Sequence, residues 1–287
     1  KGMFSIIVCS ISPHKAEALK RNIGNTASMP FEMLIFDNRQ VGMGICAVYN
    51  KMAEQAKYNN LLFVHEDIVF HTSGWDRVLA DKFAEADCGV IGFAGGTSKY
   101  PFPYGWGSSK RFIHRNYIQD FSINESKHIK ESADEPFTEV ITLDGMFLAA
   151  RKDVWSKCRF DDKTFSGFHS YDTDFSTSVY VAGFKNYVCN DVIIEHQSTG
   201  SFSRSWYQSE LIYLQKWQSV LPLYITPRHT AEEMAEQEQK TLYRTLKRLF
   251  KLGILNREEA RAAVKEFRQS YPFSIYPLIL TFKLPKS

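Results

Sequence analysis

LLFVHEDIVF, residues 61–70, decides how this chain is read. Four apolar residues run into His65, Glu66 and Asp67, and Ile68, Val69 and Phe70 resume the apolar run. An apolar run with β-branched and aromatic members and no period-2 alternation predicts a strand buried on both faces. Two adjacent acids beside a histidine at the end of such a strand are costly unless a cation or water meets them there.

Working outward, apolar strand candidates stand at residues 4–9, 31–36, 61–64 and 89–93. Their starts lie about 27 to 30 residues apart, roughly one βαβ unit. The intervals carry helical patterns. Pro13 suits a first helical position before HKAEALKRNI, and GICAVYNKMAEQAKY places Ile45, Val48, Met52 and Ala56 on one face. SGWDRVLADKFAEAD opens with Ser73 and Asp76 at capping-box spacing. The first hundred residues therefore predict a right-handed, mostly parallel α/β arrangement.

Residues 95–139 change character. They are rich in Gly, Pro, Ser and aromatics, with little periodicity, and predict a long irregular functional loop. EVITLDGMFLAARKDVW then reads as strand, turn at Asp144-Gly145, strand and helix start. YDTDFSTSVYVAGF reads as a short helix ended by Gly183, and NYVCNDVIIEH as one strand ending in a second acid–histidine pair. From about Thr226 the chain becomes charged, Leu-spaced helix, broken at Gly253 and Asn256. The expected division is residues 1–225 and a C-terminal helical appendage, 226–287.

Composition narrows the function classes. Of 287 residues, 44% are hydrophobic and 23% charged, as in ordinary soluble globular proteins. A net charge of +3 is too mild to make nucleic acid the main partner. The 14% aromatic content serves core packing or sugar stacking. Cys9, Cys46, Cys88, Cys158 and Cys189 form no CxxC pair, which predicts reduced thiols and a cytoplasmic setting. FSIIVCSIS lacks the small-residue cleavage site of a signal peptide, and no apolar run reaches the ~20 residues of a membrane span.

In open α/β sheets ligands bind beyond the carboxyl ends of the strands. Here those ends carry Ser10 and Ser12, Asp37-Asn38, His65-Glu66-Asp67 and the start of the Gly95-Gly96 loop. Asp37 and Asn38 could hydrogen-bond a base or ribose, or form an ordinary Asx turn. Asn50 could face the same crevice or lie exposed. The acids at 66–67, with Glu195-His196 far along the chain, suggest a hard divalent cation held by Asp67 and His196. Oxygen ligands suit Mg²⁺ or Mn²⁺, and an imidazole tilts the choice toward Mn²⁺. A metal-dependent hydrolase using His65, His71, His169 and His196 is a rival, though no HExxH spacing is present. A nucleotidyltransferase and an inactive sugar-binding module are the others.

In order, FSIIVCS, FDN, LLFVHEDI, LDGMFLAARKDVW, FSGFHSYDTDFSTSVYVAGF and IEHQSTGSF resemble the GT-A glycosyltransferases of the family 2 type. The likeness is greatest to the subgroup of a streptomycin-cluster glycosyltransferase, and covers about residues 3 to 205. It implies a GT-A α/β sheet and a nucleotide-sugar donor of UDP or dTDP type. It implies a carbohydrate or lipid-linked acceptor and single, inverting transfer. By the same resemblance Asp37 and Asn38 meet the nucleotide, Glu66 and Asp144 lie along the donor, and Asp67 and His196 hold the metal. His65 stands where the family's Asp-x-Asp motif has its first Asp. Asp172 takes the place of the general base, with Tyr171 and Asp174 shaping the acceptor site.

The final helices offer a separate reading. Leu242, Leu246, Leu249 and Phe250 share one face, flanked by Lys240, Arg244, Lys247, Arg248 and Lys251. This stripe either packs against REEARAAVKEF as a helical hairpin or rests on the inner face of an anionic membrane.

Overall fold

Strand β1 (Phe4–Ser10) sends alternate side chains into two apolar layers, Ile7 into one and Phe4, Ile6 and Val8 into the other. That is the period-2 geometry of a strand covered on both faces. The computed structural model describes residues 2–107, 110–122, 125–131, 134–198, 200, 202–225 and 230–285. The expected boundary at Thr226, and Thr199 and Ser201 of the HQSTGSF tail, lie outside them.

After β1 come α1 (Pro13–Thr26), β2 (Phe31–Asp37), α2 (Ile45–Gln55) and β3 (Asn60–Val64). Strands β2 and β3 both pair parallel with β1. Ser10, Asp37 and the His65 that follows β3 therefore leave the sheet at one edge. The next elements are β4 (Ile68–Phe70), α3 (Trp75–Lys82) and β5 (Cys88–Gly92). The expected capping box at α3 does not form. Gly74 is the N-cap, with φ +74, and Asp76 instead accepts from the amides of Ser28 and Met29 at 3.0 and 2.7 Å. A buried carboxylate takes whichever donors are stranded nearest it.

Residues 95–139 are not the irregular loop their composition predicts. They build β6 (Ala94–Gly96), β7 (Ser98–Lys99), the hairpin of β8 (Ile113–Ser122) and β9 (Glu125–Glu131), and the start of β10 (Phe137–Val140). Then follow β11 (Thr142–Leu143), β12 (Phe147–Arg151), α4 (Lys152–Cys158) and α5 (Tyr171–Val181). NYVCNDVIIEH is two strands rather than one, β13 (Lys185–Cys189) and β14 (Ile194–His196). The break is Asn190, whose side-chain amide donates to Glu135 O and Thr138 Oγ1 at 2.7 and 2.9 Å and turns the chain out of the first sheet.

Among the described residues, seven strands form the main sheet in the order β10-β13-β5-β12-β3-β1-β2. All run one way except β12 and β10. A second sheet, β11-β6-β8-β14-β4 with β9 beside β8, stands at the site end. Asn50 neither faces the crevice nor lies exposed. It is buried, donating to Phe160 O at 2.7 Å and accepting from Trp155 Nε1 and Phe160 N, both at 3.2 Å.

The chain closes with α6 (Arg204–Trp217), β15 (Leu223–Tyr224), α7 (Ala231–Lys251), α8 (Arg257–Ser270) and α9 (Tyr276–Thr281). Leu242, Leu246, Leu249 and Phe250 are buried against Ala260, Val264, Phe267 and Leu280, so the hairpin reading of this stripe is the observed one. Gly253, at φ +63, and the Asn256 capping box make the turn between α7 and α8.

Candidate active site

Three groups of side chains meet where the two sheets join. The first is His65, Asp67 and His196, whose ligand atoms all lie within 4.8 Å of one another. His65 leaves the end of β3, Asp67 sits in the turn to β4, and His196 ends β14, which pairs antiparallel with β4. The pairing brings residues nearly 130 positions apart in sequence together, with Asp67 Oδ1 3.6 Å from His196 Nε2. Burial works to raise the Asp67 carboxyl, but a Ser198 hydrogen bond and the two histidines outweigh it and hold it below the usual range. Burial and the neighbouring His196 lower His65, which favours the neutral, ligating imidazole.

Tyr171 sets the tautomer of His65. Its hydroxyl lies 3.1 Å from Gly145 O and 2.8 Å from His65 Nε2. With its one proton donated to the carbonyl, it accepts from His65 Nε2–H and leaves Nδ1 with the ring's lone pair. Gly145 has to be glycine for this, because a Cβ there would stand 2.1 Å from the Tyr171 hydroxyl.

The second group is a carboxylate pair, Asp144 and Asp172. Asp144 Oδ1 accepts from Met146 N at 2.8 Å, and Asp172 Oδ2 from Gly145 N at 2.9 Å. Burial and the charge of Asp144 push the Asp172 carboxyl up to about 7. Both acids line a cleft of ≈ 620 Å³ that also takes in His65 and His196. Asp174 does not. A helix turns about 100° per residue, so Asp174 faces inward from Asp172, bonded to Lys216 Nζ and Trp217 Nε1 at 2.9 and 2.8 Å. It holds α6 against α5 and is not among the residues that line the cleft.

The third group supports the second. Glu210 on α6 is buried, and its Oε1 accepts from Ser170 Oγ at 2.7 Å while Oε2 accepts from Gly105 N at 2.9 Å. Lys99, also fully buried, donates to Gly105 O at 2.7 Å and lies 3.4 Å from Glu210 Oε2. Ser170 has φ 59, an unfavourable value for a residue with a side chain, and immediately precedes α5, two residues before Asp172. Its tie to Glu210 holds that geometry.

The remaining predicted residues are placed apart from these groups. Asp37 is exposed and paired with Arg39 at 2.6 Å, which holds its carboxyl down at about 2. Asn38 is buried in its own loop, donating to Met43 O and accepting from Met43 N, both at 2.8 Å. Its amide is therefore committed to backbone rather than open to a base. Glu66 turns back to β1, accepting from Ser10 Oγ at 2.6 Å and Ser12 N at 3.1 Å. Of the four histidines of the hydrolase reading, His71 pairs with Glu195 at 2.8 Å and His169 lies near Ser205, so two of them gather. His65 as a third member of the metal group and Glu210 as a support escaped the sequence. The first stood in view as the histidine of HEDI, whereas Glu210 gives no local signal.

Breaking one half of a buried ion pair strands the other charge, at about 3–5 kcal/mol. Glu210→Ala should lower stability by that order in denaturant titration. Lys99→Met combined with Glu210→Gln should recover much of it, because Gln can still bond Ser170 and Gly105. A double variant no more stable than Glu210→Ala would assign the cost to other contacts.

Comparison with known proteins matches this frame. A family model described as "Glycosyltransferase like family" matches residues 5–217. No curated protein matches the chain. S. aureus TarS 1–349 in complex with UDP-GlcNAc is 14% identical, with a TM-score of 0.55 over 98% of this chain and 87% of that one. A longer S. aureus TarS chain gives 15% identity and a TM-score of 0.53 over 98% of this chain and 52% of its own. GalNAc-T7 with UDP, GalNAc and Mn²⁺ gives 8% identity and 0.49 over 83% of this chain and 54% of its own. The chain thus spans about half the length of these last two. With the family model covering most of its length, the chain belongs to the glycosyltransferase-like family, of the family 2 kind with a GT-A α/β fold.

Proposed function

We propose that the protein transfers a glycosyl group from a nucleoside-diphosphate sugar to an acceptor hydroxyl, with Asp172 as general base. The observation that carries this reading is a carboxyl poised near 7 in the wall of the cleft that also holds the His65 and His196 side of the metal group. A hydroxyl is a poor nucleophile until a positioned base takes its proton. As the acceptor oxygen bonds to C1 of the donor sugar, its proton passes to Asp172, and the C1–O bond to the diphosphate breaks on the opposite side. The configuration at C1 inverts, and the nucleoside diphosphate leaves.

One carboxylate and two imidazoles, one of them hydrogen-bonded to the Tyr171 hydroxyl, fit a divalent ion of the Mn²⁺ type. Held by His65, Asp67 and His196, such an ion would supply positive charge beside the leaving diphosphate. Asp37, at the sheet edge, would meet the nucleotide on displacement of Arg39. Asn38 and Glu66 would act by shaping the loops around it. The UDP or dTDP donor, the carbohydrate or lipid-linked acceptor and the streptomycin-cluster subgroup belong to the same proposal. So does the division at 225/226.

A cytoplasmic site at the inner membrane face is a further part of it. The exposed Phe273 and Ile275 of the turn before α9, Leu278 of α9 and Phe282 just after it support that placement, since α7 buries its own apolar stripe. Sedimentation with phosphatidylglycerol vesicles, lost in Phe273→Ser/Phe282→Ser and absent with phosphatidylcholine, is the expected result. No binding to either vesicle would refute the membrane placement.

Asp172→Asn should cost ~10²–10⁴-fold in turnover while leaving nucleoside-diphosphate affinity near native. The base works ionised, so the native rate should fall as pH drops below about 7 and level off above it. The raised value also means that the folded state binds a proton the unfolded chain releases. Stability from this group is full below about 4 and lost as pH rises to about 7. Asp172→Asn should remove that slope, and a variant with unchanged turnover would refute the assignment.

Asp67→Asn should abolish Mn²⁺-dependent nucleoside-diphosphate binding, measured calorimetrically across UDP, dTDP and GDP. Full activity in excess EDTA would remove the metal from the reading. Incubation with sugar nucleotides and Mn²⁺ should release nucleoside diphosphate, whereas pyrophosphate release would indicate a nucleotidyltransferase.

A further inference from the structure

The cleft continues past Asp172 to a wall that the transfer chemistry does not use. Phe168, 48% exposed, and Phe202, 40% exposed, line it together with Trp206. Phe202 and Trp206 meet edge to face at 4.8 Å. Behind them stands Arg248 of α7, its guanidinium 4.5 Å from the Phe202 ring centroid. Arg248 lines the same cleft, and burial alone lowers its pKa. Among the described residues no carboxylate pairs with it. Arg115, the other arginine of the cleft, is neutralised by Glu131 at 2.5 Å.

Contacts place this wall on the side of the base. Arg248 covers Phe202, and Phe202 meets Trp206. Trp206 lies within van der Waals reach of a Cβ built at Gly105, whose amide is held by Glu210. Glu210 in turn holds Ser170, two residues before Asp172. Exposed aromatic faces suit the apolar face of a sugar ring, and an uncompensated guanidinium suits an oxyanion. The geometry points to an acceptor subsite for a saccharide that carries an anionic group, its ring against Phe168, Phe202 and Trp206 and its phosphate or carboxylate at Arg248. This rests on the glycosyl-transfer reading and names the acceptor class for it. The C-terminal helices then contribute to substrate selection, since Arg248 is on α7.

Saturation-transfer NMR on the full chain with Mn²⁺ and UDP would test it. The probes are methyl glucoside, methyl glucoside 6-phosphate and methyl glucuronide, whose two charged members separate a phosphate from a carboxylate source. At least one charged probe should bind roughly 10-fold or more tightly than the neutral one. Arg248→Gln should erase that gap, Arg248→Lys should restore part of it, and Phe202→Ala should weaken all three probes alike. UDP affinity should not change in any of these variants. Equal binding of charged and neutral probes by the native protein overturns the subsite. Loss of UDP affinity in Arg248→Gln also overturns it, and assigns the arginine to the donor diphosphate while leaving the transfer reading intact. Failure of the native protein to bind any nucleoside diphosphate would instead count against that underlying reading.

Discussion

The site depends on one buried contact, that of Glu210 with Ser170, Gly105 and Lys99. Neither charge reaches water, and an ion pair out of water is sustained only when hydrogen bonds satisfy what the partner does not. Here the Gly105 amide and carbonyl and the Ser170 hydroxyl complete the set. Tyr104 and Tyr213 place their ring faces 4.2 and 4.7 Å from the ammonium. The contact joins three separate segments: α6, the turn after β7 and the residue that opens α5. With that residue in a left-handed conformation, the first turn of α5 points its carboxylate at the Gly145 amide. Without the tie, the helix start would be free to relax toward ordinary backbone angles, and the Asp172 carboxylate would lose that aim.

The same turn links the two halves of the chemistry. Tyr171 touches His65 of the metal group, and Asp172, one residue on, lies beside Asp144. Both contacts pass through Gly145, which accepts from one side chain and donates to the other. The two acids stand close enough that Asp144 helps to keep Asp172 partly protonated. A carboxyl fully ionised at low pH would be too weak a base for an alcohol, so under the proposed transfer the mutual repulsion would serve the reaction.

Much of this frame was legible in the chain. β1, β3 and β5 read as largely apolar runs because the main sheet is covered on both faces there, and β2, at the sheet edge, is only partly buried but keeps enough apolar residues to be read as a strand. The second sheet did not read that way. β8, with IHRNYIQDFS, is part polar because its buried Asn116 and Gln119 bond to backbone carbonyls rather than pack as apolar side chains, and the Gly and Pro before it resemble loop punctuation. β14 merged with β13 in the sequence because Val192, Ile193 and Ile194 continue the apolar pattern past Asn190. That Asp67 and His196 could share a cation was an expectation from residue chemistry and the family likeness together; their meeting depends on the pairing of β14 with β4, and His65, two residues before Asp67, joins them from the end of β3. Glu210, inside WYQSELIYL, looks like the solvent side of an amphipathic helix. Only the arrival of Lys99 from 111 positions away turns that side inward. Arg248 was equally hidden among the basic residues of α7, since its place in the cleft depends on Phe202.

The strand pairing that delivers His196 has a thermodynamic consequence. His65 and Asp67 come early in the chain, two residues apart, and His196 late, so the complete set forms only once β14 pairs with β4. An unfolded or half-folded chain therefore offers an ion only scattered, competing ligands. A cation held by all three would bind the native state alone, and its binding free energy would be added in full to the folding equilibrium. Cellular metal supply would then govern how much of the protein stays folded, before it governs how fast any sugar moves.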